Sequence, residues 1–266
     1  MKKRQGFKKA YKIKHKKSIM RSGVFWGFSL AIGLTVGAAY LIIFSSYTRI
    51  KTVQISGNEK TPTAELQNAI QNQIDKKIFS ILSKSIFLTN TGDIKNSLLK
   101  QYPQIETIEV RRELRTMTLI VQIKERGPVG IWCNNNECFL IDGSGVIFEK
   151  TLPEGNLLIK SENYDKTVFL GQKILTEQQI GLMLNINEKL RSDLKLSIQE
   201  FNLVPQNRLN VKTSENWEIY FNLQEDVNWQ LTKVKSVLEQ IIQQDKRGNL
   251  EYIDLRFNRV YYKFRD

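Results

Sequence analysis

The sequence predicts an α+β protein tethered by a single N-terminal transmembrane helix. Behind that helix come a β-α-α-β-β domain and then a mixed β-sheet domain with flanking helices. Three observations predict this. A charge-free apolar run near the N-terminus is long enough to cross a bilayer. Residues 50–125 show apolar periodicities in the order strand, helix, helix, strand, strand. Beyond residue 128, short period-two runs alternate with two stretches of helical period.

The membrane segment comes first. Ser22 to Thr48 carries no charged residue, and Val24 to Phe44 within it is apolar. At 1.5 Å rise per residue such a helix spans roughly 30 Å, the thickness of a hydrocarbon core. Trp26 and Tyr47 lie near its ends, where amphipathic rings favour the headgroup layer. Residues 1–21 hold ten basic residues and no acidic one. Such a tail stays cytoplasmic, which puts the C-terminal region outside; the tail is expected on anionic lipid, with a cytoplasmic protein or nucleic acid as the open alternatives. A cleaved signal peptide would need a shorter apolar core. Here the run continues past Gly37-Ala38-Ala39 through Tyr40, Leu41, Ile42, Ile43 and Phe44. Gly33 and Gly37 form a small-xxx-small pair that would let two such helices approach closely.

Charge and composition exclude several functions. The formal net charge is +13, yet outside the tail 30 basic residues face 27 acidic ones. The folded part therefore lacks a basic footprint for nucleic acid. The sole histidine, His15, lies in the tail, which removes most zinc and triad chemistry. No residue pattern calls for a cofactor or a metal. A carboxylate pair such as Glu113 with Glu125 is the remaining enzymatic candidate, and most such residues are solvated surface charge.

In the first extracytoplasmic part (residues 49–127), Ile50, Val53 and Ile55 mark a strand that stops at Ser56-Gly57-Asn58. Thr61-Pro62 starts a helix, with Pro at its first position, and Leu66, Ile70 and Ile74 form its apolar face. The run Ile78 to Phe87 is apolar without a clear period. A second helix follows Asn90–Asp93, buries Ile94, Leu98, Leu99 and Tyr102, and ends at Pro103. Ile108, Val110, Arg112 and Leu114 alternate with their neighbours, as do Met117, Leu119, Val121 and Ile123. With a turn near Arg115-Thr116 they predict a β-hairpin. Two helices on one face of a three-stranded sheet satisfy the pattern.

In the second part (residues 128–266), Val129 to Cys133 and Cys138 to Ile141 flank the polar loop Asn134–Glu137. Asp142-Gly143-Ser144-Gly145 then reads as a turn before Val146-Ile147-Phe148, rather than as a nucleophile or a metal ligand. Cys133 and Cys138 either bridge the two strands or remain free thiols facing the core; a bridge closing so short a loop stabilises by roughly 2 kcal/mol. Thr176 to about Leu190 is helical, with Ile180, Leu184 and Leu190 inward. Ile198–Val204, Arg208–Lys212 and Trp217–Phe221 are strands. Asp226 caps a last helix with Trp229, Val234, Val237, Leu238, Ile241 and Ile242 on its apolar face.

These segments resemble the FtsQ/DivIB family of cell division proteins. The strand ending at Ser56-Gly57-Asn58 resembles the opening of a POTRA domain, and Ile108–Glu125 followed by Arg126-Gly127-Pro128 looks like its closing hairpin. The family usually has Trp-Pro in that hairpin turn, where this chain has Leu114-Arg115. CFLIDGSGVIFEK (138–150) resembles the strand pair after the POTRA domain. Tyr252–Phe257 and Val260–Lys263 resemble the family's last two strands. The resemblance implies a non-enzymatic scaffold at the division septum, whose β domain binds FtsB/DivIC-like and FtsL-like partners and helps control septal peptidoglycan synthesis. It implies partner-binding residues Tyr252, Leu255, Phe257, Val260, Tyr261, Tyr262 and Phe264. A translocation-type POTRA protein is the alternative, but no second β-α-α-β-β copy and no barrel pattern follow. A generic anchored receptor domain is a further one.

The tail and span generate a test of orientation. A cysteine placed within residues 1–20 is expected to resist an impermeant thiol reagent in intact cells, and a reporter active only outside the cytoplasm is expected to work when fused after Asp266. Labelling of that cysteine reverses the orientation.

Overall fold

The computed structural model describes residues 23–75, 84–134, 137–155, 157–161, 167–205 and 207–265, with backbone alone at 41–44. The basic tail with His15 and the apolar stretch 78–83 lie outside the described residues. The chain divides into two compact units. One holds the described residues up to Val53, with Ile74–Asn90 and Arg112–Leu119; the other holds Gln54–Gln73, Thr91–Arg111 and Ile120–Asp266.

Helix α1 (Gly23–Phe44) is apolar on all sides and exposed along its described length, as a helix must be if its partner is hydrocarbon. It is long and apolar enough to cross a membrane. A single 3-10 turn, Ser46–Thr48, follows, with the Ser45 hydroxyl accepting from the Tyr47 N–H. The Thr48 carbonyl accepts from Ile86 N–H at 2.9 Å, and Ile50 N–H donates to Lys84 O at 3.0 Å.

Strands β1 (Thr52–Ser56), β2 (Ile105–Glu113) and β3 (Thr118–Glu125) form a three-stranded sheet in the order β1-β3-β2. Alternate residues Leu119, Val121 and Ile123 are buried, as period two requires. Gly57, at φ +85°, ends β1 where an added Cβ would meet the Ile123 carbonyl oxygen at 2.0 Å, so no other residue fits. Helix α2 spans Thr63–Ile74 and α3 spans Thr91–Gln101. Their buried stripes are Leu66, Ile70 and Ile74, and Ile94 and Leu98.

Several local expectations are corrected here. Pro62 precedes the helix rather than opening it: its carbonyl accepts from Leu66 N–H. Thr61 does not cap. Its N–H and that of Lys60 donate to the Glu125 carboxylate at 2.9 and 2.8 Å. Glu125 thus organises a loop, and Glu113 lies at the opposite, turn end of the hairpin, so the two carboxylates do not form a pair. Leu99 is only half-buried. Met117 belongs to the turn, at φ +55°, and Leu114 is exposed.

The second sheet has nine strands in the order β12-β11-β10-β9-β8-β7-β4-β5-β6. They are β4 (Pro128–Cys133), β5 (Cys138–Asp142), β6 (Ile147–Thr151), β7 (Leu158–Ser161), β8 (Ile198–Val204), β9 (Arg208–Thr213), β10 (Glu218–Asn222), β11 (Leu250–Asp254) and β12 (Tyr261–Phe264). β7 pairs parallel with β8, and β10 with β11. Parallel neighbours need a crossover. Helices α4 (Glu177–Leu194) and α5 (Val227–Gln240) supply these two crossovers, and β4 also pairs parallel with β7, which the chain reaches through β5 and β6. Both helices share one core with the sheet, including Trp132, Phe201, Val211, Ile219 and Ile253.

Thr176 and Gln179 make a capping box at α4, and Asp226 accepts from Asn228 N–H at α5. The inward faces differ from expectation. In α4, Met183 and Ile186 are buried and Leu184 is exposed. In α5, Val227, Gln230 and Leu231 are buried while Trp229 and Ile241 are exposed. Gln230 is tolerated inside because its side chain bonds both the N–H and the carbonyl of Asn222, at 3.0 and 2.8 Å. Strand β7 has no counterpart in the sequence reading.

Asp142 ends β5, and its turn does more than reverse the chain. One carboxylate oxygen accepts from Ser144 N–H, Ser144 Oγ and Val146 N–H at 3.0, 2.8 and 2.9 Å. The other pairs with Arg126, whose Nε donates to the Pro103 carbonyl at 3.0 Å. Burial pushes the Asp142 carboxyl up, but these hydrogen bonds and the Arg126 charge outweigh it and hold the group below its ordinary value. Gly145, at φ +82°, completes the turn against the Leu175 carbonyl.

Arg126→Ala leaves the Asp142 carboxylate buried without its cation and is expected to cost roughly 3 kcal/mol in denaturant unfolding. Because the folded-state value is depressed, Asp142 contributes its full stability above about pH 4, and that contribution fades as pH falls through the lower folded value. Asp142→Asn is expected to flatten this acid limb; an unchanged limb in pH-dependent unfolding would refute the assignment.

Candidate functional site

The C-terminal corner of the large sheet is built from β10, β11 and β12. β11 runs parallel to β10, pairing Ile253 with Ile219 and Asp254 with Tyr220. β12 runs antiparallel to β11, pairing Tyr261 with Asp254, Tyr262 with Ile253, Lys263 with Tyr252 and Phe264 with Leu250. Directly paired residues share a face. Tyr262 and Phe264 therefore lie on the helix-covered face beside Ile253 and Leu250, and Tyr261 and Lys263 on the opposite face. β12 is the last strand in the order, and no described strand pairs with its outer side.

The opposite face carries an aromatic and cationic cluster. The Tyr220 and Tyr252 rings stack with centroids 5.2 Å apart. The Arg208 guanidinium lies 4.3 Å above Tyr220, and Arg256 lies 5.5 Å from both Tyr220 and Phe257. Burial first, then Glu218, pushes the Tyr220 phenol up to about 12, so it stays neutral at any physiological pH. Arg256 forks onto Asp254 through Nε at 2.9 Å and Nη2 at 2.6 Å, and its own N–H donates to the same carboxylate at 3.1 Å. That hydrogen bonding raises the guanidinium above its already high ordinary value.

The β11–β12 connection is fastened at both ends. Lys233 of α5 donates to the Phe257 carbonyl at 3.1 Å and to that of Leu255 at 3.4 Å. Leu255 N–H donates to Tyr220 O, and beyond β12 Arg265 N–H donates to Asn249 O at 2.7 Å, with its side chain on the Asn216 carbonyl.

Of the residues expected at a partner surface, Phe257, Tyr261 and Tyr262 are 51%, 53% and 41% exposed. Phe257 meets Tyr261 edge to face at 5.7 Å, and Tyr262 meets Phe264 the same way at 5.8 Å. Val260 and Phe264 are partly buried against the core, and Tyr252 is half-buried in its stack. Leu255 is a correction: at 0% exposure its side chain belongs to the core and offers nothing to a partner. Sequence reasoning missed Arg208, Tyr220 and Arg256. Their signal was polar or aromatic residues at the solvent-facing alternate positions of strands whose other face is apolar. Far from this corner, a disulfide joins Cys133 and Cys138, which pair directly across β4 and β5.

Comparison with known proteins decides the family. Residues 130–256 match the model for the C-terminal region of cell division protein FtsQ/DivIB, and residues 48–126 match the FtsQ-type POTRA domain. The chain belongs to the FtsQ/DivIB family of cell division proteins. It is 24% identical to cell division protein FtsQ of Rickettsia felis over 197 residues, 70% of this chain and 72% of that one. It is 24% identical to FtsQ of Rickettsia conorii over 226 residues, 80% and 78% of the two chains. A more distant FtsQ, from Streptomyces bingchenggensis, is 21% identical over 162 residues, 59% and 57% of the chains. The FtsQ/DivIB match ends at Arg256, so β12 lies beyond it and is described by the structure alone.

The Asp254–Arg256 fork generates a test. Arg256→Ala leaves a nearly buried carboxylate without its partner and is expected to lower stability by roughly 3 kcal/mol. Amide exchange is expected to quicken first in β12, whose strand partner carries Asp254. Exchange that quickens evenly over all strands would show that the fork does not hold this corner specifically.

Proposed function

We propose that this FtsQ-family protein is a non-enzymatic scaffold of the division machinery whose β12 edge receives a strand from an FtsB/DivIC-like partner, bound together with an FtsL-like protein. Residues 1–21 form the cytoplasmic tail on anionic lipid, 22–48 the single span, 49–127 the POTRA domain and 128–266 the extracytoplasmic β domain. The assembly sits at the septum and helps control peptidoglycan synthesis there. Nucleic acid and cofactors have no part in it.

The observation that carries this reading is the terminal strand. An edge strand without a neighbour presents unpaired N–H and C=O groups that template strand addition, and flanking aromatic side chains give such a contact its anchors. Phe257, Tyr261 and Tyr262 are large, exposed and adjacent to this edge. Leaving such rings in water is unfavourable, so a partner that covers them gains apolar burial as well as backbone hydrogen bonds.

The test is partner capture by the full chain in mild detergent. Tyr261→Ala with Tyr262→Ala is expected to weaken capture of the FtsB/DivIC-like partner by roughly 30-fold or more, since one anchor is worth about 2 kcal/mol. The circular dichroism spectrum is expected to stay unchanged, because both rings are exposed at the sheet edge. Unchanged affinity in a folded double variant would place the partner site elsewhere.

A further inference from the structure

The compact unit that contains α1 also contains the tip of the β2–β3 hairpin, and this has a consequence for how the protein meets the bilayer. After Phe44 the chain takes one extended residue and the 3-10 turn Ser46–Thr48. At about 3.5 Å for the first and 2 Å per residue for the turn, Thr48 lies about 10 Å from the helix end. The headgroup layer beyond the hydrocarbon is itself roughly 5–8 Å thick. Thr48 is then tied to Ile86, Ile50 to Lys84, and Lys51 N–H to the Met117 carbonyl at 2.9 Å. Arg112 Nη2 donates to Thr89 O at 2.8 Å. The segment 84–89 and the hairpin tip are therefore bound directly to the residues that emerge from the membrane.

The surface of this unit has the composition of an interfacial contact. Tyr47 is 82% exposed, and Phe87 and Leu114 are exposed as well. Arg49, Lys51 and Arg115 are exposed, and among the described residues none of the three has an ion pair. Glu113 spends one carboxylate oxygen on the Arg115 N–H at 3.2 Å, and Asp75 pairs with Lys84 at 2.8 Å. The end of the hairpin carries exposed residues from Arg111 to Thr116, so the tip is not part of the protein's own core. Rings and leucine beside uncompensated cations are what a headgroup layer accommodates: apolar groups enter the acyl boundary while Arg and Lys meet phosphate.

We infer that the hairpin tip Leu114–Arg115, with Tyr47, Arg49, Lys51 and Phe87, docks on the phosphate-bearing surface of the bilayer that α1 spans. The proposal rests on reading α1 as a membrane helix. The lipid contact holds the region next to the helix flat on the membrane instead of leaving it to pivot about residues 45–48. The occupant is lipid because the chain emerges from lipid at this point and the surface is cationic.

The test uses the full chain in nanodiscs of phosphatidylcholine and phosphatidylglycerol containing a headgroup-nitroxide lipid. Cys133 and Cys138 are disulfide-bonded, so one introduced cysteine takes one environment-sensitive fluorophore. Labels go at Ser45→Cys beside the helix end and at Thr116→Cys in the tip. Strong quenching is expected at 45 and 116. Leu114→Ser with Arg115→Glu is expected to abolish the quenching at 116 while keeping that at 45. Quenching at 45 with none at 116 overturns the docking and leaves the membrane helix standing. No quenching at 45 overturns both. Quenching at 116 that survives the double substitution overturns the assignment to Leu114 and Arg115.

Discussion

Parallel pairing of β10 with β11 is the constraint on which the C-terminal region depends. A hairpin cannot join parallel neighbours, so the chain must cross over, and α5 is that crossover. α5 then has to bury an apolar stripe, and it does so on the face of the sheet already covered by α4. With that face closed, β11 still has one side open. The chain fills it by turning back through residues 255–260 into β12. β12 has no successor within the described residues, and its position as an edge follows from the crossover two elements earlier.

Two aspartates fasten this architecture by the same chemistry. Asp142 ends β5 and Asp254 ends β11; each is nearly buried, each accepts the backbone N–H two residues on, and each pairs with an arginine. The arginine is distant in sequence at Asp142 and local at Asp254. Arg126 also reaches the Pro103 carbonyl, so the first turn is tied to residues well outside its own hairpin. Arg256 lies over Tyr220 and Phe257, so the second turn is tied to the aromatic cluster beside the sheet edge. A carboxylate that accepts several hydrogen bonds at once ties together groups from different segments, which suits it to holding a strand end.

Much of the architecture was legible in the sequence. The apolar helix over Val24–Phe44, the β-α-α-β-β order and the cap at Asp226 are local signals of hydrophobic period and turn chemistry, and the structure contains each. The failures on the two helices share a cause. Leu184, Trp229 and Ile241 are apolar and their spacing points them inward, but inwardness on a helix is set by its rotation against the sheet. That rotation buries Met183, Ile186 and even Gln230 instead. Leu255, which the family resemblance implied as a partner residue, is buried because its N–H continues the β10 pairing and carries the side chain into the core. β7 is four residues long and buried between parallel neighbours, too short to show a period.

By itself the sequence determined which segments are apolar, where they turn, and that the last strand is rich in aromatic residues. These properties are carried by residues within a few positions of one another, and local sterics and solvation express them in any context. Only the tertiary structure decided that β12 lies at a sheet edge, that Tyr220 and Arg208 stand beside Arg256, and that the hairpin tip is bonded to the residues that follow α1. Each of these joins residues about ten to about seventy positions apart or depends on strand order. Strand order is set by which pairings bury the most apolar surface while leaving no backbone group unpaired inside, a balance taken over the whole chain and not over any window of it.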